Sequence, residues 1–285
     1  MIRIVGDTTC VLPKHVCAEH NITIMPQIIN FGEKSYRDDT ELDTASFLNM
    51  LRSSRSLPKT AAPPPNLYNP VYEEALAAGD QVLVLCPSAD TSGTFRSAQI
   101  SAQEFNSPDI HIIDTRLLAG GLGRLLLLAS EWAKQGINIE IIKSRLEQWR
   151  KRERTYLVVD TLEYLAKGGR IGNAQALLGS MLQVKPILVF KDGVITPVES
   201  QRTKKRAIQR FKELIIEECP PTPDSYLSII HSDAEEEAQA YAEEFKQKLG
   251  LKEVPIYEQC ASIVVHVGPG VVAASFFRAE QAVTG

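Results

Sequence analysis

Through the first half of the chain, apolar runs of strand length alternate with amphipathic helical stretches, and this alternation constrains the fold more than any other feature. Residues 2–5 read as a buried strand and residues 13–20 as a helix. Residues 22–31 read as a strand that turns at Gly32-Glu33-Lys34 and returns near Tyr36 as a hairpin. Thr44–Ser53 has helical spacing, with Phe47, Leu48 and Leu51 on one face. Prolines 58, 63, 64, 65 and 70 make residues 57–70 a stiff loop, because proline fixes φ and lacks a donor. A helix over 67–78, a strand over Gln81–Cys86 and a helix after Ser92-Gly93-Thr94 follow. A strand over 110–113 then ends in Asp114, and a long helix runs through Ala133. Strand, loop and helix recurring at this spacing predict a parallel sheet built from βαβ units.

The second half has a different texture. Strands are expected at 156–159, 187–190, 194–198, 226–230 and 262–265, with helices near 140–151, 203–218 and 233–249. Lys191-Asp192-Gly193 is a hairpin signal, since Asp-Gly suits a turn that needs positive φ. The chain is therefore expected to be α/β in two domains. Residues 1–155 would form a mostly parallel α/β domain and residues 156–285 an α+β domain with a mostly antiparallel sheet.

A net charge of −4 argues against general nucleic-acid binding, which needs a broad basic face. The five cysteines, Cys10, Cys17, Cys86, Cys219 and Cys260, are scattered and form no CxxC pair, so neither a disulfide framework nor a metal site is expected. Met1 leads straight into the first strand rather than a signal peptide. The longest apolar stretch, residues 117–129, is interrupted by Gly120, Gly121, Gly123 and Arg124 and falls short of the ~20 residues of a membrane span. These features predict a soluble, cytoplasmic protein without stable membrane insertion.

Pro87-Ser88-Ala89-Asp90-Thr91-Ser92-Gly93-Thr94 joins a strand to a helix, at the strand edge where open α/β sheets bind ligands. Free N–H groups at a helix start suit a carboxylate or phosphate. A simple cap by Thr91 or Ser92 is the competing reading, although four hydroxyl residues exceed what one cap needs. His266, at the end of an expected apolar strand and before Val267-Gly268-Pro269-Gly270, is either a structural histidine or a ring fixed toward a cleft. Thr60 alone is a commonplace threonine before a turn. Lys167-Gly168-Gly169-Arg170 and Arg202-Thr203-Lys204-Lys205-Arg206 read as solvated surface, or as docking faces for an acidic partner or a phosphate. Gly120-Gly121-Leu122-Gly123 does not fit a dinucleotide fingerprint; its small residues let a helix pack closely on a strand or a bound chain. Gly-x-Ser-x-Gly, His-Glu-x-x-His and Walker motifs are missing from the sequence.

Taken in order, these segments resemble the DegV family, the fatty-acid-binding subunits of bacterial fatty acid kinases. The resemblance is carried by Asp7-Thr8-Thr9, Lys59-Thr60-Ala61-Ala62-Pro63, Ser92-Gly93-Thr94-Phe95-Arg96-Ser97-Ala98 and Ile113-Asp114-Thr115. It continues through Thr161-Leu162-Glu163-Tyr164-Leu165, Lys167-Gly168-Gly169-Arg170-Ile171, Lys185-Pro186-Ile187-Leu188 and His266-Val267-Gly268-Pro269-Gly270. It implies that Thr60, Ser92 and His266 hydrogen-bond the carboxylate of a long-chain fatty acid whose tail fills an apolar tunnel. Thr91, Gly93, Thr94 and Gly268 are secondary ligand-site candidates. The implied catalyst is a separate ATP-dependent kinase that phosphorylates the presented carboxylate, with Arg170, Arg202 and Lys167 facing that partner or the developing phosphate. The chain itself would then be no enzyme and would need no cofactor beyond its fatty-acid ligand. Ala61, Ala62, Ala89, Thr91, Val265 and Val267 depart from the family pattern, so cargo choice or head-group geometry can differ. Two alternatives remain: an acyl-ester hydrolase using Ser92 and His266, and a carrier of another amphipathic acid with no kinase partner.

Overall fold

The computed structural model describes residues 1–54, 56–180 and 184–280. The strands of the first half are β1 (Ile2–Asp7), β2 (Ile22–Met25), β3 (Ile28–Phe31), β4 (Lys34–Arg37), β5 (Lys59–Ala61), β6 (Gln81–Cys86) and β7 (Ile110–Asp114). Those of the second are β8 (Glu153–Val158), β9 (Lys185–Lys191), β10 (Val194–Gln201), β11 (Ser228–Ser232), β12 (Ile256–Glu258) and β13 (Val271–Phe277). The α-helices are α1 (Lys14–Glu19), α2 (Thr44–Ser53), α3 (Asn69–Ala77), α4 (Thr94–Phe105) and α5 (Ala119–Lys134). They continue with α6 (Ile139–Arg152), α7 (Glu163–Lys167), α8 (Lys204–Glu218), α9 (Glu235–Leu249) and α10 (Ala261–Val267). None of the described helices is long and apolar enough to cross a membrane.

A parallel sheet runs in the order β2-β1-β6-β7, and a second sheet runs β10-β9-β8-β13-β11-β12. The second sheet is antiparallel except for the β11–β12 pair. A small antiparallel sheet, β4-β3-β5, stands beside them. The mixed α/β architecture thus matches the expectation, with parallel pairing confined mainly to the first half.

Each face of the parallel sheet buries a layer. Ile4, Leu83 and Leu85 pack with Leu122, Leu125 and Leu126 of α5. Val5, Val82 and Val84 face Tyr68, Tyr72 and Ala98 on the other side. The outer face of the second sheet (Tyr156, Val158, Ile187, Val189) is sealed by Phe211, Leu214 and Phe245 of α8 and α9. Helix α5 packs on strands of both large sheets. Its glycines permit the approach: a β-carbon at Gly120 would lie 2.7 Å from Ser228 Oγ, and one at Gly121 2.8 Å from the Glu153 side chain.

The Asp192-Gly193 hairpin is as expected, with φ of 51° and 88° and Lys191 paired to Val194. Its tip meets the loop after β6, where Ser88 Oγ donates to the Gly193 carbonyl at 2.8 Å and Arg116 pairs with Asp90 at 2.7 Å.

Four expectations need correction. Residues 261–267 form a helix rather than a strand, so His266 sits in the last turn of α10. Five of its residues in a row are buried, and a segment buried all round has no periodicity to separate helix from strand. The central strand β13, which pairs with both β8 and β11, was not anticipated. Thr60 lies within strand β5 opposite Ile29, not in a loop; Pro58 and Pro63 bracket just enough chain with free N–H groups to pair. Residues 22–31 form two strands in different sheets, because Pro26 interrupts the run and leaves Gln27 between them.

Candidate functional site

The C-terminal ends of β1 and β6 diverge at the point where the strand order 2-1-6-7 reverses direction, the crevice where open α/β sheets bind ligands. Asp7 closes β1 there, and the Ser88–Gly93 loop leaves β6 to begin α4. Facing them across the crevice are β5, α10 and the inner face of the second sheet. Between these elements lies a cavity of about 120 Å³ that opens toward solvent. Leu157, Phe190, Ile195, Ile230, Val271 and Ala273 form its sheet-side wall.

The polar groups gather where β5, α10 and the start of α4 meet. Thr60 Oγ1 lies 2.9 Å from His266 Nε2, and both line the cavity with Ser92 and Gly93. The N-cap of α4 is Gly93, which has no side chain to cap it, and of the helix N–H groups Ser92 Oγ accepts only from that of Thr94, at 3.3 Å, so the helix start adds partial positive charge beside Ser92.

His266 is held neutral. Burial, helped by the nearby Arg170 charge, lowers its pKa to about 4, overriding the preference of a helix C-terminus for a cation. Its buried Nδ1 has no hydrogen-bond partner. The Gly168 Cα–H that a β-carbon would replace points at that nitrogen, a contact suited to a bare lone pair. The ring proton therefore belongs on Nε2, which donates to Thr60 Oγ1 and leaves the threonine hydroxyl hydrogen free for the cavity.

Behind Ser92 runs a buried network. Ser92 Oγ and Thr94 Oγ1 are 2.9 Å apart, and Thr94 Oγ1 donates to Asp7 Oδ2 at 3.1 Å. Gln27 Nε2 donates to both Asp7 Oδ2 (2.6 Å) and Thr94 Oγ1 (2.9 Å), while Thr9 N–H donates to Asp7 Oδ1 at 3.0 Å. Burial raises the Asp7 carboxyl to about 6. Half-buried Asp38 accepts from Gln27 N–H at 2.8 Å and from Thr8 at 2.9 Å, and burial raises it to about 7.

The remaining residues singled out in the sequence fall in different places. Arg170 lines the cavity; its Nε donates to the Thr91 carbonyl at 3.0 Å and its Nη1 to the Gly168 carbonyl at 2.7 Å. Thr91 also lines the cavity, whereas Thr94 reaches it only through Ser92. Gly268 ends α10 with φ 83°, and its carbonyl accepts from Ser232 at 2.8 Å; it shapes the helix end without lining the cavity. Lys167 is exposed, paired with Glu163, and borders a smaller cleft against the outer side of Thr60, Arg170 and His266. Arg202 is exposed and lines neither cavity. Ser92 and His266 bond to Thr94 and Thr60 respectively rather than to each other, which weighs against a nucleophile–base pair. Among the described residues no group of three or more His, Cys, Asp or Glu is placed to hold a metal.

Sequence reading missed Thr9, Gln27, Thr155, His231, Gln259 and Ser262, which also line the cavity. Asp-Thr-Thr at a strand end could have flagged Thr9; the others arrive from distant segments and carry no local signal.

A family model described as an uncharacterised protein, DegV family, matches residues 1–279. Protein DegV of Bacillus subtilis is 36% identical over 272 residues, covering 94% of this chain and 96% of that protein. The crystal structure of that DegV, described as a fatty acid binding protein, superposes with a TM-score of 0.85 at 35% identity, covering 97% of this chain and 99% of that one. A structure of a DegV family protein from Thermus thermophilus, described by its fatty acid binding, gives a TM-score of 0.87 at 30% identity, covering 98% and 99%.

Proposed function

The chain belongs to the DegV family, and on that premise we propose that it binds a long-chain fatty acid and presents the carboxylate to a partner kinase. The observation that carries the reading is a cavity in which an apolar sheet-side wall meets Thr60, Ser92 and a neutral His266. The acyl tail lies along Leu157, Phe190, Ile230 and Val271, and the carboxylate accepts hydrogen bonds from Thr60 and Ser92 at the start of α4. Fatty-acid binding by the B. subtilis and T. thermophilus relatives supports the ligand class.

Magnitudes fit that division of labour. A sixteen-carbon tail leaving water gains about 12 kcal/mol gross at ~0.8 kcal/mol per CH₂, of which ordering the tail and the ligand takes back much. The tail supplies affinity, and the hydroxyls set orientation. A neutral imidazole orients Thr60 without placing a fixed full charge on the carboxylate that must attack phosphorus. Arg170 beside the mouth, with Lys167 and Arg202 outside, forms the basic surface for the kinase or the new acyl phosphate.

The test is reconstitution with a fatty acid kinase subunit and ATP, trapping acyl phosphate with hydroxylamine. Product that requires both proteins supports presentation to a kinase. Hydrolysis of acyl esters by this chain alone would favour the hydrolase reading instead. Tight lipid binding without any acyl phosphate would leave a plain carrier.

A further inference from the structure

The hydrogens around Thr94 can be counted. Its hydroxyl carries one hydrogen and accepts two, and it faces three partners: Asp7 Oδ2 at 3.1 Å, Gln27 Nε2 at 2.9 Å and Ser92 Oγ at 2.9 Å. The Gln27 amide nitrogen can only donate. An ionised Asp7 can only accept, so the Thr94 hydrogen goes to Asp7 and Ser92 must donate to Thr94. Ser92 Oγ also accepts from the Thr94 N–H at 3.3 Å, so it then turns its remaining lone pair toward the cavity, which repels a carboxylate. With a proton on Asp7 Oδ2 every link reverses: Asp7 donates to Thr94, Thr94 to Ser92, and the Ser92 hydrogen faces the cavity.

We infer that Asp7 is a positioning residue for the head group: a carboxylate seated on Ser92 and the carboxylate of Asp7 compete for opposite ends of one hydrogen-bond chain, so binding the anion brings one proton from solvent onto Asp7. Asp7 is fully buried, and its Oδ1 is occupied by Thr9, so Oδ2 is the oxygen that switches. The chain is the shortest route between a buried acid and the ligand, and it crosses from β1 to the start of α4.

The surroundings favour uptake. Asp7 is hydrogen-bonded by Thr9, Gln27 and Thr94, and the other titratable groups that feel its charge are Asp38, Tyr68, Cys10, Cys86 and Cys260. All are neutral or negative. Burial already raises Asp7 to about 6, and a second negative charge at Ser92 raises it further.

The inference rests on the fatty-acid reading, and the experiment separates the two. Dodecanoate below its aggregation limit is titrated into the protein at about pH 8 by calorimetry, in buffers of low and high ionisation enthalpy. The expected uptake is about one proton per ligand, with apparent Kd rising close to tenfold per pH unit above neutrality. In Asp7→Asn, which has no carboxyl to take up a proton, uptake falls to near zero and the pH slope flattens. Thr94→Val, which keeps the acid but removes the hydroxyl that links it to Ser92, gives the same flattening should D7N fail to fold. No uptake by the unsubstituted protein, or one proton still taken up by D7N or T94V, overturns the role of Asp7. Failure of the unsubstituted protein to bind dodecanoate at any pH overturns the fatty-acid reading instead.

Discussion

A β-carbon added to Gly168 would lie 2.1 Å from Nδ1 of His266, closer than any real contact. The glycine is what allows the Nδ1 edge of the imidazole to come up against the end of α7 while Nε2 reaches Thr60. Gly168→Ala is therefore expected to fold, since Gly168 caps the short helix α7 rather than lying inside an element, but to push the ring away from Thr60. Fatty-acid affinity should fall at least tenfold, with a change in melting temperature of only a few degrees. A G168A protein with unchanged affinity would show that ring position is irrelevant.

Thr60 and His266 are expected to act as one unit, because the ring sets the direction of the threonine hydroxyl. Thr60→Val and His266→Asn should each weaken binding roughly ten- to a hundredfold, as expected for a hydrogen bond of about 1.5–3 kcal/mol to a charged group. The double variant should lose little more than either single one. Additive losses, measured by the same titration, would mean that the two contact the ligand independently.

Stability should respond to pH through groups shifted in opposite directions. Burial raises Asp7 to about 6 and both Asp38 and Glu153 to about 7, so these carboxyls bind more protons folded than unfolded. Their contribution is fully present below the unfolded values and is lost as pH rises through 6 to 7. His266, lowered to about 4, contributes stability above its unfolded value of 6.5 that is lost as pH falls toward 4. Three groups outweigh one, so denaturant unfolding should show higher stability near pH 5 than near pH 8. Glu153 is 1% exposed and one of its oxygens is unpartnered, so Glu153→Gln should shrink that difference by roughly 3 kcal/mol, at ~1.4 kcal/mol per pH unit. An unchanged difference in E153Q would place the ionisation elsewhere.

Arg202 is exposed and lies outside the cavity, so Arg202→Ala should leave fatty-acid affinity within about twofold while acyl phosphate formation with a kinase partner falls tenfold or more. Raised ionic strength should weaken the unsubstituted pair in the same direction. A normal phosphorylation rate for R202A would remove this arginine from the docking face.

Local chemistry made much of the fold legible. Helix α2, strand β6 and the Asp192-Gly193 turn each follow from the period or φ demand of their own residues. Helix α10 did not, because Ser262 through Val265 are buried on every side and the β-branched Ile263, Val264 and Val265 favour a strand by local preference. Thr60, Ser92 and His266 were nameable together only through the family resemblance, since each alone has a commonplace structural reading, and the fold brings them to one cavity. Gln27 and Thr155 were not, because each matters only through partners such as Asp7 and Glu153 that tertiary structure supplies. The short strand at Thr60 was hidden by its flanking prolines, whose effect on pairing depends on having β3 alongside.

Mass spectrometry of the organic extract from the purified recombinant protein tests the central claim most directly. A long-chain fatty acid at close to one equivalent per chain, lost or strongly reduced in Thr60→Val and His266→Asn, is the predicted result. Protein that carries no fatty acid, and takes none up after incubation with a mixture of chain lengths, would contradict the account.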